Sequence, residues 1–202
     1  MYYAYYENGA FYKANGQQIT TMDQLPFEPK DASVVYTSTE TEGRAWIADI
    51  AQDAEGNPTI LFTKSPTELN HEYWYAQYTK KGWVSRKICD SGKWFPQTEA
   101  GKTEPEPHYF GGMALHPGHS NVVYLSRQIN GVFEIERWST NDRGKTWTKK
   151  AITQNSAYDN VRPYVPRGLS SDAPEVVLWM ENQMYVHYTQ YQTAIKYAVL
   201  DN

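Results

Sequence analysis

The stretch "EIERWSTNDRGKTW", Glu134 to Trp147, decides the fold. Its first half is a strand-like run, and its second half packs Asn141, Asp142 and Gly144 into a polar turn that ends on an indole. A turn of this composition belongs between two strands. The Asp142 carboxylate can accept backbone N–H groups inside it, while Trp147 folds back to staple neighbouring layers. The same order of strand, turn and aromatic occurs in "EYWYAQYTKKGW", Glu72 to Trp83, and in the opening "YYAYYENGAFY". Tyr73 and Ile135 are 62 residues apart, and Tyr3 and Tyr73 are 70 apart.

The units also open alike, each with a strand, a polar turn and a second apolar strand: "RAWIADIAQDAEGNPTILFTK", "YFGGMALHPGHSNVVYLSRQ" and "VRPYVPRGLSSDAPEVVLWM". Short runs rich in Val, Ile, Tyr, Trp and Thr fill the chain, and no segment keeps a helical period with caps. The fold class is therefore all-β, and the repeating unit is a four-stranded antiparallel meander, the blade of a β-propeller. The 202 residues hold one partial propeller domain, with outer strands of one blade in 1–30 and blades at about 31–90, 108–153 and 158–200.

With 40% hydrophobic and 21% charged residues, 17 Tyr and 7 Trp, the composition is that of a folded chain. A net charge of -4 argues against nucleic acid, which is held by a basic footprint. No apolar run is long enough to span a bilayer, so no membrane partner is expected. "MYYAYYENG" lacks the pattern of a signal peptide. The expected compartment of the full-length protein is secreted or periplasmic, its address lying upstream or already removed. The single Cys89 permits no internal disulfide. Cys89, Asp90, His108, His116 and His119 are the candidate metal ligands, but their spacing matches no paired zinc pattern. No cofactor is required by this reading, and a structural metal at these groups is the alternative.

Thr140 to Trp147 resembles the Asp-box, the S/T-x-D-x-G-x-x-W turn of BNR-repeat propellers, at every defining position. The ordered set "NHEYWYAQY", "HYFGGMALHP", "VVYLSRQINGVFEIERWSTNDRGKTW" and "NVRPYVPRG" followed by "VVLWM" is similar to the BNR-containing proteins that include the seven-bladed ulvan lyases. The resemblance covers roughly Arg44 to Met180. It implies a protein that cleaves or binds an acidic, uronate-containing polysaccharide, by β-elimination where it cleaves. This chain holds about half of such a ring, so either it is the C-terminal part of a longer protein or two copies associate through open blade edges. A groove His that such lyases draw from an earlier blade has no counterpart here.

β-Elimination needs the uronate carboxylate neutralised, a base for the proton at C5 and an acid for the leaving oxygen. By their place in the family-like motifs, the catalytic candidates are Tyr109 as base and acid, Arg127 beside it, and His71 from the preceding blade. Gly111 and Gly112 would leave room for a sugar to reach the backbone. Arg162 is the substrate-binding candidate from the following blade, and His108, on the opposite face of an extended segment, is held in reserve. Each has a plainer reading: Tyr109 as inter-blade filling, Arg127 as cross-strand partner of Glu134 or Glu136, His71 as a hydrogen-bonded structural histidine, Arg162 as a strut. "TEAGKTEPEPH" reads as a loop between blades. Two other functions compete: a non-catalytic carbohydrate-binding propeller, and a sialidase-like hydrolase in which Arg44, Arg127 and Arg162 form an Arg triad. The Arg motif near a sialidase's start is absent.

Overall fold

The computed structural model describes residues 1–67, 70–92, 99–102, 111–168 and 174–200. Five short strands open the chain: β1 (Tyr2–Tyr3), β2 (Tyr5–Glu7), β3 (Ala10–Tyr12), β4 (Gln18–Thr21) and β5 (Ser33–Val34). β2 to β4 form a three-stranded antiparallel sheet, and β1 pairs with β5. Asn8 and Gly9 turn β2 into β3 with φ of 47° and 84°, the two left-handed residues that a tight hairpin requires.

Two four-stranded antiparallel meanders follow. The first is β6 (Arg44–Gln52), β7 (Pro58–Thr67), β8 (Asn70–Thr79) and β9 (Gly82–Gly92). The second is β10 (Met113–His116), β11 (His119–Ile129), β12 (Val132–Ser139) and β13 (Thr148–Ala151). A last sheet holds β14 (Asp159–Tyr164), β15 (Glu175–His187) and β16 (Gln190–Leu200), three strands where the repeat leads one to expect four. "EVVLWM" and "MYVHYTQY", which read as separate strands, are covered by β15 through His187. Register shifts after Asn182 and after Tyr185 absorb the break in alternation. Among the described residues no sheet closes on itself or on another.

Alternation explains the stacking. Along β8, Tyr73 and Tyr75 point to one side and join Leu61, Leu115, Val123, Leu125 and Trp138 in the core between the two meanders. Trp74 and Ala76 point the other way, toward Tyr3, Ile60 and Phe62. On β11, Val123 and Leu125 serve the first core, whereas Val122 and Tyr124 pack with Val177 and Trp179 of the last sheet. Middle strands therefore carry apolar residues on both faces, and Pro58 to Lys64 is buried throughout. Each large apolar side chain so enclosed contributes about 2 kcal/mol.

The Thr140–Trp147 turn is closed by its own side chains. Thr140 Oγ1 accepts from the Gly144 N–H at 2.9 Å and donates to Asp142 Oδ1 at 2.8 Å. Asp142 accepts the Thr146 N–H at 2.8 Å and the Thr146 hydroxyl at 2.7 Å. These bonds, the Thr146 hydroxyl first, hold the Asp142 carboxyl down at about 2. Trp147 then lies edge-on against Tyr75 of the preceding meander, ring centroids 5.4 Å apart, and joins the core between the two sheets. It is an inter-sheet staple.

Candidate functional site

At the end of the stack where β6, β10 and β14 begin, one hydrogen-bonded node joins the last three sheets. β8 carries Tyr73 into the interface, fully buried. Its hydroxyl donates to the Ser126 carbonyl at 2.8 Å and accepts the Gly112 N–H at 2.9 Å. Ser126 donates its N–H to the Gly112 carbonyl at 3.0 Å and its hydroxyl to the Asn160 carbonyl at 2.6 Å. Asn160 in turn accepts the Trp179 indole N–H at 2.7 Å. The Arg162 N–H closes the node on the Gly111 carbonyl at 2.5 Å.

Burial, above all, pushes the Tyr73 phenol well above its ordinary value of 10, and the Gly112 and Gly111 amides and the Arg162 charge only partly oppose it. Tyr73 stays protonated and acts as a structural donor. Gly111 and Gly112 serve the same closeness. A Cβ on Gly111 would lie 2.2 Å from Ser126 Oγ, and Gly112 has φ of +99° against the Arg162 backbone. The room expected at Gly111 for a sugar is filled by Ser126, a correction that follows from the inward side chain of β11.

The candidate residues divide around this node. Arg162 has φ of +54°, unusual for a residue with a side chain, where the β14–β15 register shifts between Val161 and Tyr164. Its side chain is exposed. Arg127 follows Ser126 on β11, and its guanidinium forks onto Glu136 at 2.6 and 3.1 Å. Trp138 donates to the same carboxylate at 3.0 Å and lies beneath the guanidinium at 5.9 Å. The hydrogen bond to Glu136 raises the Arg127 pKa further. Glu134, opposite Arg127 in register, instead accepts the Ser156 N–H at 2.7 Å and its hydroxyl at 2.8 Å.

His71 is 1% exposed and lies two residues before Tyr73 on the same face of β8. Arg44 is exposed at the start of β6, at the same end of the stack. Tyr109 and His108 lie outside the described residues. The structure thus brings Arg162, Ser126 and Gly111 together, places His71 and Arg127 along the same interface, and commits Arg127 to Glu136. Tyr73 is the residue that sequence reading missed. Its place on the His71 face of "NHEYWYAQY" was visible, but the reach of its hydroxyl to Gly112 was not.

Of the candidate metal ligands, His108 lies outside the described residues, and Cys89, Asp90, His116 and His119 do not gather as a metal cluster. Burial pushes the Cys89 thiol up to about 12, and Asp90 pairs with Lys87 at 2.8 Å. The His116 and His119 rings lie 4.8 Å apart and tilted, with burial and then His119 lowering the His116 pKa. Among the described residues no three His, Cys, Asp or Glu side chains gather as a metal cluster. No described helix is long and apolar enough to cross a membrane.

These features define an all-β protein of serially stacked antiparallel sheets with a Gly-Gly node where three of them meet. Residues 1–91 match the model of a family described as BNR repeat-containing family member, which supports a BNR-repeat relationship for the part from β1 into β9. The matched residues stop short of the Thr140–Trp147 turn. No curated protein and no solved structure matches the chain.

Proposed function

We propose that this chain is part of a BNR-type β-propeller that recognises an acidic, uronate-containing polysaccharide at the Arg162 end of the sheet stack. The observation that carries the reading is Arg162 itself. A residue with a side chain held at φ of +54° costs about 1 kcal/mol or more, and such strain persists where the surroundings impose it, often at ligand sites. Here the Gly111 carbonyl clamps the Arg162 N–H at the β14–β15 irregularity, and the residue stays exposed. An exposed guanidinium is suited to a planar carboxylate, to which it can offer two parallel N–H groups.

Cleavage by β-elimination is the finer reading of the same site. Arg162 suits neutralisation of the carboxylate. Tyr73 does not suit the base, because burial keeps its proton and the Gly112 N–H already occupies its oxygen. His71 and the family-implied Tyr109 are the groups left for proton transfer. The sialidase-like reading is weaker, since a triad needs three guanidinium groups to meet one carboxylate and Glu136 already holds that of Arg127.

The test is calorimetric titration with tetragalacturonate and with its methyl ester. Binding of the acid alone supports the reading, and equal binding of both, or of neither, refutes it. Growth of the ultraviolet absorbance of an unsaturated uronate on incubation with a uronate polymer separates cleavage from binding.

A further inference from the structure

β8 and β11 each carry apolar side chains on both faces, and both faces are covered by neighbouring sheets. The last sheet repeats the alternation but not the cover. Val177 and Trp179 of β15 turn inward, with Ala198 of β16, onto Tyr124 and Ile135 of the second meander. Val176, Leu178 and Met180 alternate to the outer face, where cross-strand pairing sets them beside Val199, Tyr197 and Ile195. That face is open. Ile195 is 66% exposed, Tyr197 69%, Val199 54% and, further along the same side of β16, Tyr191 55%.

The charged side chains of these two strands fall on the other face. Glu175 accepts from the Arg137 guanidinium of the second meander at 3.0 Å, and Lys196 pairs with Glu181 at 3.5 Å. From Val176 to Met180 and from Tyr191 to Val199 the outer face therefore holds aliphatic side chains, Thr193 and two phenols, with no carboxylate or ammonium. A whole tyrosine presents about 200 Å² and a branched aliphatic residue about 150 Å², so the four exposed side chains leave roughly 400 Å² open. An apolar patch of that size is often functional. Two such patches laid together remove roughly 800 Å², and the partly covered Val176, Leu178, Met180 and Thr193 raise the total to about 1,000 Å², the size a specific interface needs.

We propose that the outer face of the last sheet is a self-association surface, on which a second copy of this chain packs the same face in a two-fold dimer. Two-fold pairing sets a patch against itself, so rings and branched side chains meet their own kind and no charge is buried. A chain of net charge -4 meets its copy with least repulsion through a face that carries no ionised group. The contact joins side chains face to face, as the sheets within the fold are joined, and leaves the strand edges unused. It does not rest on the saccharide reading of Arg162.

The experiment is sedimentation velocity of the whole chain over a series from about 1 to 100 μM, repeated with Ile195→Lys, Tyr197→Lys and Gln192→Lys. The first two set a cation at the centre of the face, against its own copy in the dimer. Gln192, exposed on the other side of β16, receives the same charge as a control. The expected result is a parent that reaches twice the chain mass within the series. Each face change should weaken the dimer about tenfold or more, with melting temperature retained, while Gln192→Lys behaves as the parent. A parent that stays monomeric throughout, or a mass that grows past the dimer, overturns the proposal. So does a dimer that survives both face changes, or one that Gln192→Lys weakens equally. The parent series decides alone if a variant fails to fold.

Discussion

Removing the Arg127 guanidinium should act on stability before it acts on binding. Arg127→Met leaves the Glu136 carboxylate, 5% exposed, with the Trp138 indole N–H as its remaining described donor. Breaking a buried pair from one side costs about 3–5 kcal/mol. The Arg127 side chain is 25% exposed, so solvent reaches part of the pair. Discounted for that screening, the expected loss is about 2–3 kcal/mol. For a domain of this size the loss lowers Tm by about 5–10 °C.

Glu136→Gln keeps an acceptor for Trp138 and should cost about 1–2 kcal/mol. The double change Arg127→Met/Glu136→Leu removes both charges together, and its cost should fall short of the sum of the single costs by about 1–2 kcal/mol. The assay is thermal and urea unfolding of the four proteins of the cycle at neutral pH. An Arg127→Met protein that keeps its Tm within a degree or so and loses tetragalacturonate binding would refute the argument, because the guanidinium would then be a ligand group rather than a strut.

Gly111→Ala places a methyl 2.2 Å from the Ser126 hydroxyl and 2.8 Å from its carbonyl, so the node must open. Overpacking of this kind costs about 2–3 kcal/mol, and Ser126→Ala, which loses only the bond to Asn160, should cost about 1 kcal/mol by the same unfolding assay. The Asp142 carboxyl falls from the ordinary 3.8 to about 2 on folding, so its contribution is complete above 3.8 and is lost as pH drops toward 2. Melting curves of the parent and Asp142→Ala proteins should therefore differ at pH 6 and converge as pH falls through that window. A gap that stays constant would show that the turn does not depend on the ionised carboxylate.

What could be read in the sequence was what depends on neighbours along the chain. The strand-like runs "EYWYAQYT" and "VFEIERWS" and the Gly turn of "YYAYYENGAFY" are local signals, and the sheets follow them. Trp147 was legible because the turn before it is closed by Thr140, Asp142 and Thr146, all within eight residues. The node was not legible in this way. The bonds from Tyr73 to Gly112, from Tyr73 to Ser126 and from Ser126 to Asn160 span 39, 53 and 34 residues of chain, and no spacing announces which tyrosine finds which amide. The Gly-Gly pair was noticed, but its reason is the approach of Ser126 and Arg162 from two other strands. For Arg127, both neighbouring acids on β12 fit the pattern. The choice of Glu136 was settled by the engagement of Glu134 with Thr153 and Ser156, beyond β13.

The measurement that bears most directly on acidic-polysaccharide recognition is the affinity of tetragalacturonate at the Arg162 end, compared between the parent chain and Arg162→Gly. Glycine adopts φ of +54° freely, so the change removes the guanidinium while relieving the backbone. Binding at this end should weaken about ten- to hundredfold, as loss of a charge-assisted pair requires, while Tm holds or rises. Unchanged affinity, or affinity and Tm lost together, would contradict it and leave Arg162 a strut between sheets.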